Sequence, residues 1–390
     1  MITRVSVKNY KSLADLDVEL GPLTVLVGQN GAGKSNFVDV LRFVTESLVS
    51  GLERAIIDRG GISAIRRYTS KGRPPHINVS LSFDFDGEQG EFAFELAGIG
   101  EGEYEVRRES CALGNRGYEV RDRLVTSLST KLVYAISEPT IFVLSGISER
   151  HVALLELGEG PPLPITSEEK RPEWKVREFL YNAGHYTILP NLLRTPQKPL
   201  PAVGGLAADA INLSNVLRKM KRETPEQFAE LRSSLNNVVP DIADIDIKPV
   251  GGYLVVTLTH KQNGQTSTIN LAQESDGTLR LLGLLTALYQ TPIPPLITIE
   301  EPELTVHPGA LLALYEVIKE ASTRSQIVIT THSPDLISAC DPSELRVVEK
   351  VNGVTRIDPL DQRQIQIIND KLFSTGDLLR IEGLQRRTSN

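Results

Sequence analysis

Cysteine is nearly missing from this 390-residue chain, which carries only Cys111 and Cys340. Two sulfurs without CxxC spacing build neither a structural zinc site nor a disulfide framework, so a reducing, cytoplasmic setting is expected. Aromatic residues are 5% of the total, too few for a base-stacking nucleic-acid module to be expected. No apolar run approaches the roughly 18 residues of a membrane span. The nearest, Leu281 to Tyr289, reads as a buried helix segment. The opening Met1-Ile2-Thr3-Arg4-Val5-Ser6-Val7-Lys8 alternates apolar with polar and predicts a strand, not the core of a signal peptide. There is no sustained heptad, internal repeat or low-complexity tract. Neither charge sign dominates: 42 basic against 49 acidic residues leave a net −7, which excludes a histone-like polycation but still allows a local basic groove.

What is present is an ordinary globular composition, 40% hydrophobic and 23% charged, in a chain long enough for two or three domains. A strand over Leu23–Val27 runs into a glycine-rich loop and then an apolar-periodic helix with Phe37, Leu41, Val44 and Leu48. Residues 76 to 123 alternate around a turn at Asp86-Gly87 and predict an antiparallel sheet. Residues 124 to 165 give mixed signals and end in the breaker-rich Gly158 to Pro164. Helices are expected over Ala207–Met220 and Pro225–Leu235, after a proline-rich connection near Pro196 to Pro201. An α/β stretch closes the chain: strand Leu296–Ile299, helix Ala310–Ala321, strand Gln326–Thr330 and a strand near Leu345–Val348.

Gly28-Gln29-Asn30-Gly31-Ala32-Gly33-Lys34-Ser35 fits the phosphate-loop pattern G-x-x-x-x-G-K-[ST] in strand–loop–helix context. Glycines let successive N–H groups turn inward as an anion nest, and the helix N-terminus adds positive potential. Lys34 would reach the β- and γ-phosphates of ATP, and the Ser35 hydroxyl would ligate Mg2+. An ordinary glycine-rich turn would need neither the lysine nor the hydroxyl.

The strand over Leu296–Ile299 ends in Glu300-Glu301-Pro302-Glu303, and parallel sheets present their ligand-facing edge at strand C-termini. Taken alone, such a pair reads more often as a solvated strand end. Beside a phosphate loop, Glu300 becomes the candidate holder of Mg2+ through its water shell, and Glu301 the group that orients and deprotonates the attacking water. A further strand ends in Thr330-Thr331-His332-Ser333-Pro334, where the His332 imidazole could sense or stabilise charge in phosphoryl transfer.

Together these elements resemble the ATP-binding-cassette ATPases, specifically the SMC/RecF-type heads and the overcoming-lysogenization-defect ATPases. The resemblance is carried by Val7-Lys8-Asn9-Tyr10-Lys11-Ser12-Leu13, by Gly28 to Asn36, by Glu300 to Glu303 followed by His307-Pro308, and by Thr331 to Pro334. It is also carried by Glu274-Ser275-Asp276-Gly277-Thr278-Leu279-Arg280, a divergent form of the family's signature motif. It implies an α/β fold of P-loop, ABC/SMC-head type: a mixed central sheet, an antiparallel β subdomain and a helical lobe carrying the signature. The expected division is 1–165 for the N-terminal half of the ATPase lobe, 166–290 for the helical lobe, and 291–390 for the C-terminal half. It further implies a homodimer or higher homo-oligomer in which Ser275 and Gly277 of one copy close over ATP held by Gly28, Asn30, Gly31, Gly33, Lys34, Ser35 and Asn36 of another. Read without the family, Ser275 or Asp276 is simply a helix cap.

Three departures stand out. Glu300 takes the place of the usual aspartate, Asp276-Gly277 that of paired glycines, and His307 that of a loop aspartate. The family's nuclease domain needs an Asp-x-Asp pair, and the residues after His332 contain none, so a form without that domain is expected. The pairs Asp84/Asp86 and Asp244/Asp246 lie on alternating segments, where same-face spacing is automatic. Basic clusters occur at Arg66-Arg67, Lys71 with Arg73, Arg107-Arg108, Arg121 with Arg123, and Arg218-Lys219-Met220-Lys221-Arg222. The last is the densest and reads either as a solvated face or as a phosphate-contacting surface for DNA. The expectation is a cytoplasmic, membrane-free ATP switch in genome maintenance, double-strand break repair or anti-phage defence. The alternative is a hydrolysis-poor nucleotide sensor that scaffolds a separate nuclease or other effector.

Overall fold

The computed structural model describes residues 1–70, 72–100, 102–121, 124–127, 133–135, 172–202 and 204–387. The breaker-rich Gly158 to Pro164, together with Lys71 and Arg123, lies outside the described residues. In chain order the first half contains β1 (Ile2–Tyr10), β2 (Leu13–Glu19), β3 (Leu23–Val27), α1 (Lys34–Ser50), α2 (Leu52–Ile57) and α3 (Ile62–Ile65). There follow β4 (His76–Phe85), β5 (Glu88–Gly98), β6 (Tyr104–Leu113), β7 (Arg116–Arg121), β8 (Leu124–Ser127), β9 (Val133–Ala135) and α4 (Pro172–Tyr181). The middle holds β10 (Gly184–Tyr186), α5 (Pro190–Leu193), α6 (Leu213–Glu223), α7 (Pro225–Val238), β11 (Ile242–Val250), β12 (Tyr253–Gln262), β13 (Gln265–Asn270) and α8 (Asp276–Tyr289). The chain closes with β14 (Leu296–Glu300), α9 (Leu311–Ala321), β15 (Gln326–Thr331), α10 (Pro334–Ala339), β16 (Leu345–Val351), β17 (Val354–Pro359), α11 (Gln362–Asn369) and α12 (Thr375–Ile381).

Two compact units share the chain in an interleaved way. The first takes Met1–Gly21, Asn30–Ala183 and Val348–Asp358, and the second takes Pro22–Gln29, Gly184–Val347 and Pro359–Asn390. In the first, β2-β1-β4-β5-β6-β7-β8-β9 form one antiparallel sheet. Strict alternation drives it: Val5 and Val7 on β1 pair with Leu81 and Val79 on β4, and all four side chains are fully buried. The helix α1 buries Phe37, Leu41, Val44 and Leu48, as its period of about 3.6 residues dictates. Its Phe43 ring lies 5.8 Å from Tyr10 and 6.3 Å from Phe94, which fastens the helix to the sheet.

In the second unit the parallel strands run in the order β10-β14-β15-β3-β16. β3, β14 and β15 are near-continuous apolar runs because both faces of a parallel sheet are covered. Their register sets Glu300 opposite Thr330 and Thr331 opposite Val27, so three strand ends finish on one edge. A separate antiparallel sheet, β11-β12-β13, sits in the stretch expected to be a helical lobe. The helix expected over Ala207–Met220 begins at Leu213 instead. Ala210 has φ 61° and the Asn212 side chain accepts the Ala207 N–H at 2.8 Å, so a turn replaces the first helical ladder bonds.

Candidate nucleotide site

Gly28 and Gln29 leave the end of β3 within the second unit, and Asn30 onward belongs to the first. Gly31 (φ 77°) and Gly33 (φ 112°) hold the left-handed conformations that bend the loop, a geometry a β-carbon resists. Space enforces the second one as well: a Cβ on Gly33 would lie 2.0 Å from Thr355 Oγ1. That hydroxyl is fully buried, donates to Ala32 C=O at 2.8 Å and meets Ser12 Oγ at 2.6 Å, so the loop rests on a floor made by β17 and the β1–β2 turn. Asn36 Nδ2 donates to the same Ser12 hydroxyl at 2.7 Å, which places this residue in the floor. Lys34 is buried, while Asn30, Gly31 and Ser35 are exposed. Among the described residues no side chain caps the N-terminus of α1.

The floor is itself anchored by charge. Asp39 on α1 accepts from Tyr10 Oη at 2.7 Å and pairs with Lys11 at 2.5 Å and Arg59 at 2.9 Å. Burial pushes the Asp39 carboxyl up, but the hydrogen bonds from Lys11 and Tyr10 and the Arg59 charge more than offset this and hold it below its ordinary value. Asn9 (φ 60°) and Lys11 (φ 46°) take strained conformations in this turn. The motif Asn9-Tyr10-Lys11-Ser12 is therefore a clamp that fixes Ser12 beneath the loop.

In the second unit Glu301 follows β14 with φ 48°, unusual for a residue with a side chain, and its N–H donates to Thr330 C=O at 2.9 Å. Its Oε1 lies 3.3 Å from His332 Nδ1. Glu300 is half-buried at the strand's last position. The buried Glu303, to which the sequence reading gave no role, accepts from Thr331 Oγ1 at 2.6 Å and from the His332 N–H at 3.3 Å. His307 is exposed and caps a short turn, its Nδ1 accepting from Gly309 N–H at 3.1 Å.

At the start of α8, Ser275 is the N-cap: its Oγ accepts the Thr278 N–H at 3.1 Å. Ser275 and Asp276 are exposed and Gly277 is half-buried. A Cβ on Gly277 would fall 2.4 Å from Thr305 C=O, so glycine alone lets the helix approach the segment after Glu301. The Asp276 carboxylate is turned onto Arg194 at 2.6 Å, and Arg194 also donates to Glu274 C=O at 2.8 Å. Desolvation pushes Arg280 down, against the pull of the Glu301 and Glu303 carboxylates.

The densest basic cluster is tied up locally. Arg218 donates to Leu200 C=O, Lys219 reaches Thr291 C=O at 3.4 Å, Lys221 pairs with Asp246 at 2.7 Å, and Arg222 pairs with Glu223. Asp246 also takes Lys248, and these hydrogen bonds draw its carboxyl down to about 2. Asp244 pairs with Arg232, and Asp84 accepts the Gly87 N–H, so both Asp-x-Asp pairs serve local structure. Among the described residues no three His, Cys, Asp or Glu side chains gather into a metal cage. The Ser35 hydroxyl in the first unit and the Glu300 carboxylate in the second are each oxygen donors of the hard type that Mg2+ takes. No helix among the described residues is long and apolar enough to cross a membrane.

Residues 1–139 match the family described as AAA ATPase domain, and residues 171–338 match the one described as AAA domain, putative AbiEii toxin, Type IV TA system. The OLD nuclease of Thermus scotoductus is 26% identical over 368 residues, covering 90% of this chain and 62% of the relative. The chromosome partition protein Smc of Desulfitobacterium hafniense is 33% identical over 125 residues, 28% of this chain and 10% of Smc. The DNA replication and repair protein RecF of Brucella suis is 33% identical over 112 residues, 28% of this chain and 27% of RecF. The chain thus spans less than two thirds of the length of each of these relatives. Among solved structures, an Smc head bound to the C-winged helix domain of ScpA superposes with a TM-score of 0.57 at 16% identity, covering 94% of this chain and 99% of that one. An Smc head with an extended coiled coil, bound to the C-terminal domain of ScpA derived from Pyrococcus furiosus, gives 0.53 at 14% identity, covering 95% and 99%. At such identities the likeness is one of fold, and that fold is the P-loop, SMC-head architecture expected from the motifs.

Proposed function

We propose, from the premise that this chain is an SMC/RecF/OLD-like ATPase, that it is a Mg2+-dependent ATP-hydrolysing switch whose nucleotide-driven self-association controls DNA or a partner effector. The observation that carries this reading is the meeting of Glu301 and His332 at adjacent strand ends, 3.3 Å apart. In it Gly28, Asn30, Gly31, Gly33, Lys34 and Ser35 hold the triphosphate, and Asn36 acts through Ser12. Bound at Ser35 and Glu300, Mg2+ would supply positive charge to the β- and γ-phosphate oxygens.

Glu301 orients the attacking water and accepts its proton. His332 Nδ1 lies on the Glu301 side of the ring, 3.3 Å from Oε1, so the two groups can act on the same water.

Self-association rests on the exposed first turn of α8, where Ser275 Oγ and the Gly277 N–H can face a triphosphate held by a second copy. ATP drives association only because this contact exists in the closed assembly alone. DNA as the controlled partner draws on the similarity to a DNA replication and repair protein and a chromosome partition protein, and a nuclease as the effector on the similarity to the OLD nuclease. Asp276 supports the slower, scaffold-like alternative, since its carboxylate must stay on Arg194 for phosphate to approach.

The test is Glu301→Gln, sized with and without ATP and Mg2+ and again with linear DNA. We expect turnover to fall at least about a hundredfold and an ATP-bound assembly to accumulate. A wild-type rate would remove Glu301 from its role. Negligible single-turnover phosphate release by the unsubstituted protein, with persistent ATP-bound assemblies, would select the scaffold.

A further inference from the structure

We propose that Glu303 is a positioning residue of the hydrolysis site, fixing the Thr331-His332 turn so that the imidazole faces Glu301. This rests on the ATPase reading above. Glu303 is 8% exposed, and one of its oxygens, Oε1, collects everything: the Thr331 hydroxyl at 2.6 Å, the His332 N–H at 3.3 Å and His332 Nδ1 at 3.8 Å. Thr331 is fully buried and its Oγ1 in turn accepts the Ser333 N–H at 3.0 Å, while Ser333 Oγ caps α10 at Leu336. A chain of bonds therefore runs from the acid through the whole turn that leaves β15. The other oxygen, Oε2, is buried without a hydrogen-bond partner among the described residues.

A core gains nothing from that arrangement. A buried carboxylate with an unsatisfied oxygen destabilises a fold relative to an apolar side chain of the same volume. The arrangement serves the imidazole instead: two carboxylates, Glu301 at 3.3 Å and Glu303 at 3.8 Å, flank Nδ1, with the Arg280 guanidinium as the cation that senses both. Glu303 touches neither water nor phosphate in this scheme. It acts through the ring and the backbone of His332.

The experiment uses the full chain and compares Glu303→Ala, which deletes the acceptor, with Glu303→Gln, which keeps an oxygen for both donors. Glu303→Ala should lower kcat by about tenfold or more with KM for ATP within about twofold, and Glu303→Gln should recover to within about threefold of wild type. In parallel, 15N spectra of histidine-labelled protein, assigned with His332→Gln, should show the Nδ1-protonated form of His332 depleted in Glu303→Ala and retained in Glu303→Gln. Thr331→Val removes one donor at constant volume and should fall between them, giving the same readout should Glu303→Ala not fold. Unchanged ring signals and kcat in Glu303→Ala or Thr331→Val would overturn the proposal. The ring signal reports on Glu303 even if the wild type proves not to hydrolyse ATP, so failure of the ATPase reading is separable from failure of this one.

Discussion

The helices α1 and α8 both begin at glycine-containing motifs proposed to face phosphate, yet their first turns are built in opposite ways. At α1 the cap position is Gly33 in a left-handed conformation, with no side-chain cap among the described residues and no acid in the first turn. At α8 Ser275 caps the turn and Asp276 brings a carboxylate into it. A helix N-terminus with neither device is open to an anion, whereas one already supplied with both is at rest without it. The first end is left without a side-chain cap among the described residues; the second already has one in Ser275, with Asp276 turned onto Arg194.

The sharpest way to break this contrast is Lys34→Ala. It should weaken ATP binding by at least about a thousandfold in titration calorimetry, and unchanged affinity would mean that the first end does not face phosphate. Next in size is Asp39→Asn, which unloads Lys11, Tyr10 and Arg59 at once. It should cost about 3 kcal/mol in urea unfolding at neutral pH. Since the folded-state value of Asp39 is depressed, its contribution is present above the ordinary 3.8 and is lost as pH falls through the folded value, so the gap to wild type should close in acid below about pH 3.8.

Smaller effects sharpen the other side. Ser275→Ala should cost about 1 kcal/mol of stability as a lost cap, and Ser275→Asp should keep that stability while adding a charge where phosphate must dock. If ATP-driven association survives Ser275→Asp, the turn is only a cap. The least effect is expected from changing Arg218, Lys219, Lys221 and Arg222 together. These cations already have local partners, so DNA affinity and its salt dependence should move by less than about twofold in fluorescence anisotropy.

What could be read from the sequence was local chemistry. The strand Leu23–Val27, the loop after it and the strand ends at Glu300 and Thr331 are visible because each motif is contiguous and its residue types have few other uses together. Thr355 gives no such signal: its hydroxyl matters only because it lies under Gly33 and Ala32, a contact 323 residues apart in sequence. Ser12 was visible as part of Asn9-Tyr10-Lys11-Ser12, but its use as a floor needed the Asp39 clamp to be seen. Glu303 was quoted within an acidic run, and only burial separates it from its neighbours. The Ala207–Met220 helix failed at its start because apolar spacing does not register the competing Asn212 side chain. The sheet β11-β12-β13 was missed although its alternation around Asp244 and Asp246 had been noticed, since a short alternating run does not announce its partners.

Because the support beneath the phosphate loop comes from Thr355, the ribosome releases every piece of the G-x-x-x-x-G-K-S motif long before the motif has anything to stand on. The floor beneath the loop is therefore complete only in a polypeptide made nearly to Pro359, where β17 ends.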